Sequence, residues 1–366
     1  MKMEPIRKDI DNIDAYKPGK PIEEVKRELG IADVTKLASN ENALGPSPRA
    51  IAAAKKALPS LNRYPEGSCY YLKRKLARLL GIKEGNLLFG NGSDELIDVI
   101  LKTIKAPDAE IITADVTFVE YKISGSINGF KVISVSLKDF TFDLEAMAGR
   151  ITPKTKAVFI ANPNNPTGTY VTTRQVLEFL DRIPREVMVV FDEAYVEFAQ
   201  KEDFPKTLEL LGRKNVAILR TFSKIYGLAG LRVGYMIADE EFVAAAERIR
   251  QPFNVNSVAQ AAACAALDDK AFVRKSTTLI AKEMKFMEKT LTDLGVWFKK
   301  SAANFIFVRT GMDARSLFGK LLKKGVIIRE MSQYNLDNYS RITIGTRREN
   351  IKLIRALRDI IKEDSR

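Results

Sequence analysis

Four short segments hold residue types that can do chemistry, each following an apolar run. Gly90-Asn91-Gly92-Ser93-Asp94-Glu95 lies between a short strand pattern and a helix pattern. Glycines let the backbone approach an anion, and helix N-terminal amides bind phosphate. Alone, the segment reads better as a tight turn with Asp94 as a helix cap. Asn162-Pro163-Asn164-Asn165-Pro166-Thr167-Gly168 is a rigid polar turn that can hold side chains in place. Asp192 ends the apolar run 187–191, and Tyr195 follows three residues on. A carboxylate there can cap a helix or face a cation, and a helical turn would bring the phenol close by. Lys224 follows the run 216–220 and sits among Ser223, Gly227 and apolar residues. Such a lysine can be a nucleophile or base, or one more surface lysine. Ser223 and Arg232 offer anion contacts.

Composition narrows the chemistry further. The 366 residues include no histidine and two cysteines, Cys69 and Cys264. Imidazole bases, Ser-His-Asp or Cys-His catalysis and His-ligated metals are excluded. Two thiols cannot form a four-thiolate site in one chain. Lys, Tyr, Cys, carboxylates or a cofactor must then move any proton. Few cysteines and no apolar leader predict a reducing, cytoplasmic setting. No window reaches the roughly 18 apolar residues of a membrane span. The net charge is 59 − 46 = +13. The basic residues are dispersed among acids, which favours anionic small-molecule substrates over nucleic acid.

The elements that must position these residues alternate. Helices are predicted over 22–29, 48–58, 68–80, 94–104 and 118–128. Strands are predicted over 87–89, 110–113, 131–135, 157–161, 187–191, 216–220 and 232–237. Such alternation predicts an α/β fold with a largely parallel sheet, whose ligands bind beyond the strand ends. Residues 256–294 read as one helix or a helix pair, and then the pattern changes. Strands over 296–299, 304–308, 326–329 and 341–344 and helices over 313–324 and 347–362 predict a smaller α+β unit. The expected organisation is an N-terminal arm over 1–38 joining the small domain, a large domain over 39–270 and the small domain over 271–366.

The four segments, in this order, resemble fold-type I pyridoxal-phosphate aminotransferases. Ser-Lys-x-x-Gly-Leu-Ala-Gly-Leu-Arg-x-Gly-Tyr over 223–235 carries most of the resemblance, which spans nearly the whole chain. It implies a mostly parallel, seven-stranded large-domain sheet and pyridoxal 5'-phosphate as cofactor. Lys224 matches the Schiff-base lysine and proton shuttle, Asp192 the partner of the pyridinium nitrogen, and Tyr195 and Asn165 the donors to the ring 3'-oxygen. The Asn165–Pro166 peptide matches a position that is usually cis. The Ser93 and Asp94 backbone amides, Ser223 and Arg232 match phosphate ligands. Tyr121 matches the aromatic that stacks on the cofactor ring, with Phe118 as its competitor. Tyr64 matches a residue reaching the neighbouring subunit's site, which implies a homodimer. Arg341 matches the arginine that clamps a substrate carboxylate.

The subgroup is also legible. Ser39-Asn40-Glu41-Asn42-Ala43-Leu44-Gly45-Pro46-Ser47-Pro48, Arg63-Tyr64-Pro65, Tyr16-Lys17-Pro18-Gly19-Lys20-Pro21 and Ala303-Asn304-Phe305 are similar to the signatures of histidinol-phosphate aminotransferases. That resemblance implies amino exchange between histidinol phosphate and 2-oxoglutarate by a ping-pong route. Tyr16, Asn40, Arg329 and Arg341 are its expected substrate contacts. An aromatic or broad amino-acid aminotransferase and a phosphothreonine decarboxylase share the pattern. Ala43, and Asp115-Val116 before Thr117-Phe118, stand where the family commonly has proline.

Overall fold

The computed structural model describes residues 7, 11, 13 and 19–364. Tyr16 lies outside them. Among the described residues, thirteen strands form three sheets. In chain order they are β1 (Thr35–Lys36), β2 (Leu87–Gly90), β3 (Glu110–Ala114), β4 (Lys131–Val135), β5 (Thr155–Ala161), β6 (Met188–Asp192) and β7 (Val216–Thr221). There follow β8 (Gly234–Ile237), β9 (Trp297–Lys299), β10 (Phe305–Arg309), β11 (Val326–Ile327), β12 (Arg329–Glu330) and β13 (Tyr339–Thr343).

The largest sheet has seven strands in the order β2-β8-β7-β6-β5-β3-β4. Only β8 runs against its neighbours; the other pairs are parallel. Its central strands β5, β6 and β7 are almost wholly buried, which explains their unbroken apolar runs. Helices cover the sheet, and one continuous core extends from Ala50 to Leu267. Buried carboxyl ends of parallel strands leave a crevice there, and Ala161, Asp192 and Thr221 occupy those ends.

The region predicted as one helix or a pair is a pair, Ser257–Asp268 and Lys270–Asp293. Asp269 separates them and caps the second by accepting from the Phe272 amide. The second helix enters a separate core that includes Met287, Ile306, Ile342 and Leu357. Strands β12-β13-β10-β9 form the antiparallel sheet of this unit. The predicted strand 326–329 is in fact divided. Val326–Ile327 pairs in parallel with Thr35–Lys36, whereas Arg329–Glu330 pairs antiparallel with β13. The chain therefore changes sheets at Ile328, and the helix Ile22–Leu29 packs Val25 near Ile327 and Ala38.

The two cores meet at a turn and a loop. Asp139 and Phe140 both have left-handed backbones, with φ of 48° and 62°. They carry the Phe140 ring against Trp297, Phe307 and Tyr339 of the antiparallel sheet. Asp139 pairs with Lys299 beside it. On the loop 162–169, Gly168 O accepts from the Ala302 amide at 2.8 Å. The Asn165–Pro166 peptide is cis, and so is Asn162–Pro163.

Candidate active site

A cavity of about 210 Å³ lies at the carboxyl ends of β5, β6 and β7, closed from the other side by the antiparallel sheet. Lys224 enters it from the loop after β7. Its Nζ donates to Ser39 O at 3.3 Å and stands 5.6 Å from the Tyr195 ring centre. Gly227 makes this loop possible. Its φ is +68°, and a Cβ there would lie 2.3 Å from Gly45 O.

Asp192 forms the floor and is only 5% exposed. It accepts from Tyr121 Oη at 2.7 Å and from the Ala194 amide at 3.1 Å. Burial pushes its carboxyl up to about 6, although both hydrogen bonds favour the anion. Burial, followed by the charge of Asp192, raises the Tyr121 phenol well above its ordinary range, so it stays a neutral donor.

One end of the cavity suits an oxyanion. The helix Ser93–Thr103 begins there after Gly92, whose φ is +87°. Gly234 on β8 lets that helix start lie close, since a Cβ would sit 2.6 Å from Ser93 N. Arg232, itself left-handed at φ 53°, aims its guanidinium at the same place and donates to Asp94 Oδ2 at 3.0 Å. Ser223 is buried alongside. Amides, a hydroxyl and a guanidinium thus converge.

The opposite wall carries two arginines. Arg329 and Arg341 are direct partners across β12 and β13, and both line the cavity. Arg341 donates to Asn165 Oδ1 and Ala38 O, and Arg329 Nη2 donates to Gln333 Oε1 at 2.8 Å. Like charges directly opposite on a ladder repel, so this wall favours an anion.

Twelve of the sequence-derived residues line this one cavity: Asn40, Ser93, Asp94, Tyr121, Asn165, Asp192, Tyr195, Ser223, Lys224, Arg232, Arg329 and Arg341. One of them is placed differently from its expected role. Tyr121 was expected to stack on a ring in the cavity, but its own ring is fully buried and stacks on Phe159 at 5.2 Å. Its hydroxyl is the part that serves the site. Phe118, partly exposed and packed edge-on to Tyr121, is the aromatic with surface open to the cavity. Asn40, expected to touch substrate, lines the cavity and also bonds its side-chain amide to Tyr195 and Thr343. Tyr64 is 83% exposed, stacks on Phe253 and does not line the cavity. Thr343 escaped the sequence reading, because nothing in Ile342-Thr343-Ile344 marks a strand-end threonine as polar machinery.

Residues 32–357 match the family of class I and II aminotransferases. The chain belongs to that family. Among its relatives, a histidinol-phosphate aminotransferase of Moorella thermoacetica is 49% identical over 357 residues, 97% of this chain and 92% of that protein. One of an Anaeromyxobacter species is 45% identical over 358 residues, 96% and 98% of the two chains. The crystal structure of histidinol-phosphate aminotransferase from Sinorhizobium meliloti in complex with pyridoxal-5'-phosphate superposes with a TM-score of 0.91 at 29% identity, covering 99% of each chain. The donor set of this aminotransferase fits the same cofactor. A buried carboxylate suits a pyridinium, the helix start with Arg232 suits a phosphate, and a lysine amine lies in the same cavity.

Proposed function

We propose that this aminotransferase exchanges an amino group between histidinol phosphate and 2-oxoglutarate, with pyridoxal 5'-phosphate held at Lys224. The observation that carries the substrate choice is the Arg329–Arg341 pair, two cations opposed across β12 and β13 and facing the cavity. Histidinol phosphate has no α-carboxylate, so its phosphate must be recognised instead. A guanidinium pair can bind a phosphate in one half-reaction and a carboxylate in the other, since both are forked oxyanions.

The cofactor supplies an electron sink for the substrate α-carbon. The residues of the chain do the rest. Asp192 would bind the ring nitrogen as a cation. The backbone amides of Ser93 and Asp94, the Ser223 hydroxyl and Arg232 would hold the phosphate. Tyr195 and Asn165 would donate to the ring oxygen, and Phe118 would cover the ring. Lys224 Nζ would anchor the cofactor covalently and, once released, would carry a proton between the substrate α-carbon and the cofactor's C4′ carbon.

The assembly read here is a homodimer. Tyr64 and Phe253 form an exposed stacked pair, and Leu61 and Tyr71, close to Tyr64 in sequence, are also exposed. A second copy covering that surface would bring Tyr64 to the partner's phosphate end. No helix among the described residues is long and apolar enough to cross a membrane. The setting proposed for the enzyme, as for its small-molecule substrates, is the cytoplasm.

A substrate panel tests the reading. Histidinol phosphate should support glutamate-dependent turnover with a kcat/KM at least about tenfold above phenylalanine or tyrosine. A preference for the aromatic amino acids, or carbon dioxide released from phosphothreonine, would overturn the substrate assignment. Lys224→Ala should retain the cofactor without a borohydride-fixable bond and should not turn over.

A further inference from the structure

We infer that Asn40 and Thr343 form a polarity relay that fixes the direction of the Tyr195 hydroxyl, making it a proton donor into the cavity. The inference rests on the reading of Tyr195 as a contact of the cofactor ring oxygen. Asn40 and Thr343 are positioning residues in it, acting through Tyr195.

Every polar group of Asn40 is used. Its backbone amide donates to Thr343 Oγ1 at 2.9 Å, and its carbonyl accepts from Asn304 Nδ2 at 3.0 Å. Its side-chain Oδ1 accepts from Thr343 Oγ1 at 3.0 Å, and its Nδ2 donates to Tyr195 Oη at 2.9 Å. Asn40 is 1% exposed, Tyr195 and Thr343 4% each, so water does not substitute for these partners. The backbone of Asn40 is left-handed at φ 56°, a conformation asparagine tolerates better than most residues.

The direction of the relay follows from counting protons. The Thr343 hydroxyl already receives the Asn40 amide, so its own proton goes to Asn40 Oδ1. That orientation leaves Nδ2 facing Tyr195. Flipping the amide would turn two donors toward Thr343 and strand the threonine's proton in a buried place. Tyr195 Oη therefore receives a hydrogen bond from behind, and its single proton is available to an acceptor in the cavity. A phenol that accepts from an amide is also a better donor, because such chains polarise cooperatively.

The frame around the relay is stiff. Thr343 is the register partner of Phe305, and the Phe305 ring packs edge-on against Tyr195 at 5.1 Å. The Thr343 amide donates to Leu37 O at 2.9 Å, pinning the segment that leads into Asn40. Strand β13 thus supplies both Thr343 and Arg341, so one element sets the phenol's direction and the anion-binding wall. The charged groups lining the cavity are Asp94, Asp192, Lys224, Arg232, Arg329 and Arg341, and the variants below leave all six in place.

The test is a pH titration of the bound-cofactor absorbance in the reconstituted enzyme, together with the cofactor dissociation constant and the melting temperature. A phenol that no longer donates leaves negative charge on the cofactor's ring oxygen unshared, so the protonated form persists to higher pH. Thr343→Val removes the donor to Oδ1 and should move the midpoint up by about one pH unit, with Thr343→Ser restoring it. Asn40→Asp must accept from Tyr195 and should shift it at least as far. The uncharged Thr343→Val separates polarity from added charge. Tyr195→Phe should shift the midpoint alike, and adding Thr343→Val to it should change nothing further. Thr343→Val and Asn40→Asp titrating with wild type while Tyr195→Phe shifts would overturn the relay. A wild-type midpoint in Tyr195→Phe itself would overturn the role of Tyr195, and the relay with it.

Discussion

Tyr121 Oη donates to Asp192 Oδ2 at 2.7 Å beneath the cavity floor, and the Tyr121 ring rests on Phe159. The pair divides labour between a phenol kept neutral and a carboxylate that must be anionic when a cation arrives. Tyr121→Phe keeps the ring packing and removes the donor. Cofactor affinity should fall by about tenfold with little change in melting temperature. Equilibrium titration of apoenzyme with cofactor measures it; an unchanged dissociation constant would contradict the arrangement.

The buried Asp192 also makes apoprotein stability depend on pH. Its folded value is raised to about 6, above the ordinary carboxylate range, so the folded protein holds this proton more tightly than the unfolded chain. That contribution is complete below the ordinary range and is lost as pH rises through about 6. Asp192→Asn should therefore match wild type near pH 4 and become more stable by roughly 1–3 kcal/mol at pH 8. Denaturant melts of the apoprotein across this range would show parallel curves if the site did not behave so.

Gly92 and Arg232 are too close for a side chain to come between them. A Cβ on Gly92 would lie 2.3 Å from Arg232 Nη2, at a φ of +87°. Gly92→Ala should weaken cofactor binding by about tenfold or more while the seven-stranded sheet persists, because it displaces a bidentate anion donor. Binding titration with far-ultraviolet circular dichroism separates the two effects.

Shared sites can be read from mixed subunits. Lys224→Ala and Tyr64→Ala homodimers should each be impaired. In a dimer of one each, one site carries both changes and the other carries neither. Random mixing should then restore about a quarter of wild-type sites. Activity that stays at the average of the two parents would show that Tyr64 does not cross.

Phe140 offers an optical measurement. Trp297 is the only tryptophan, and it packs against Phe140, Phe307 and Tyr339 with Arg309 over its ring. Phe140→Ala should red-shift the tryptophan emission and lower stability by about 3 kcal/mol. An unmoved spectrum would mean that the turn does not pack there in solution.

Much of this is legible in the sequence. The buried runs ending at Ala161, Asp192 and Thr221 announced parallel strands, and the polar residues after them announced the crevice. What escaped had weak local signals. The helix Thr173–Leu180 is short, although the Thr172–Gln175 capping box marks its start. The run 326–329 looks continuous because both sheets it serves bury apolar residues. Tyr121 and Phe118 share one amphipathic stretch, and only the third dimension separates a ring that faces the cavity from a hydroxyl that reaches under it. Asn40 is polar and near the site in either role; its hydrogen-bond directions depend on a threonine 303 residues away.

That separation has a consequence for how the protein comes into being. The proposed phosphate end is encoded between Gly90 and Gly234, so a nascent chain can own it while still being made. The wall of arginines, the Thr343 hydroxyl and the strand that captures Thr35–Lys36 are all encoded after residue 325. During synthesis, which proceeds from the N-terminus, a place to seat the cofactor exists well before a place to seat the substrate. A ribosome-bound or truncated chain would thus be a cofactor binder without a reaction.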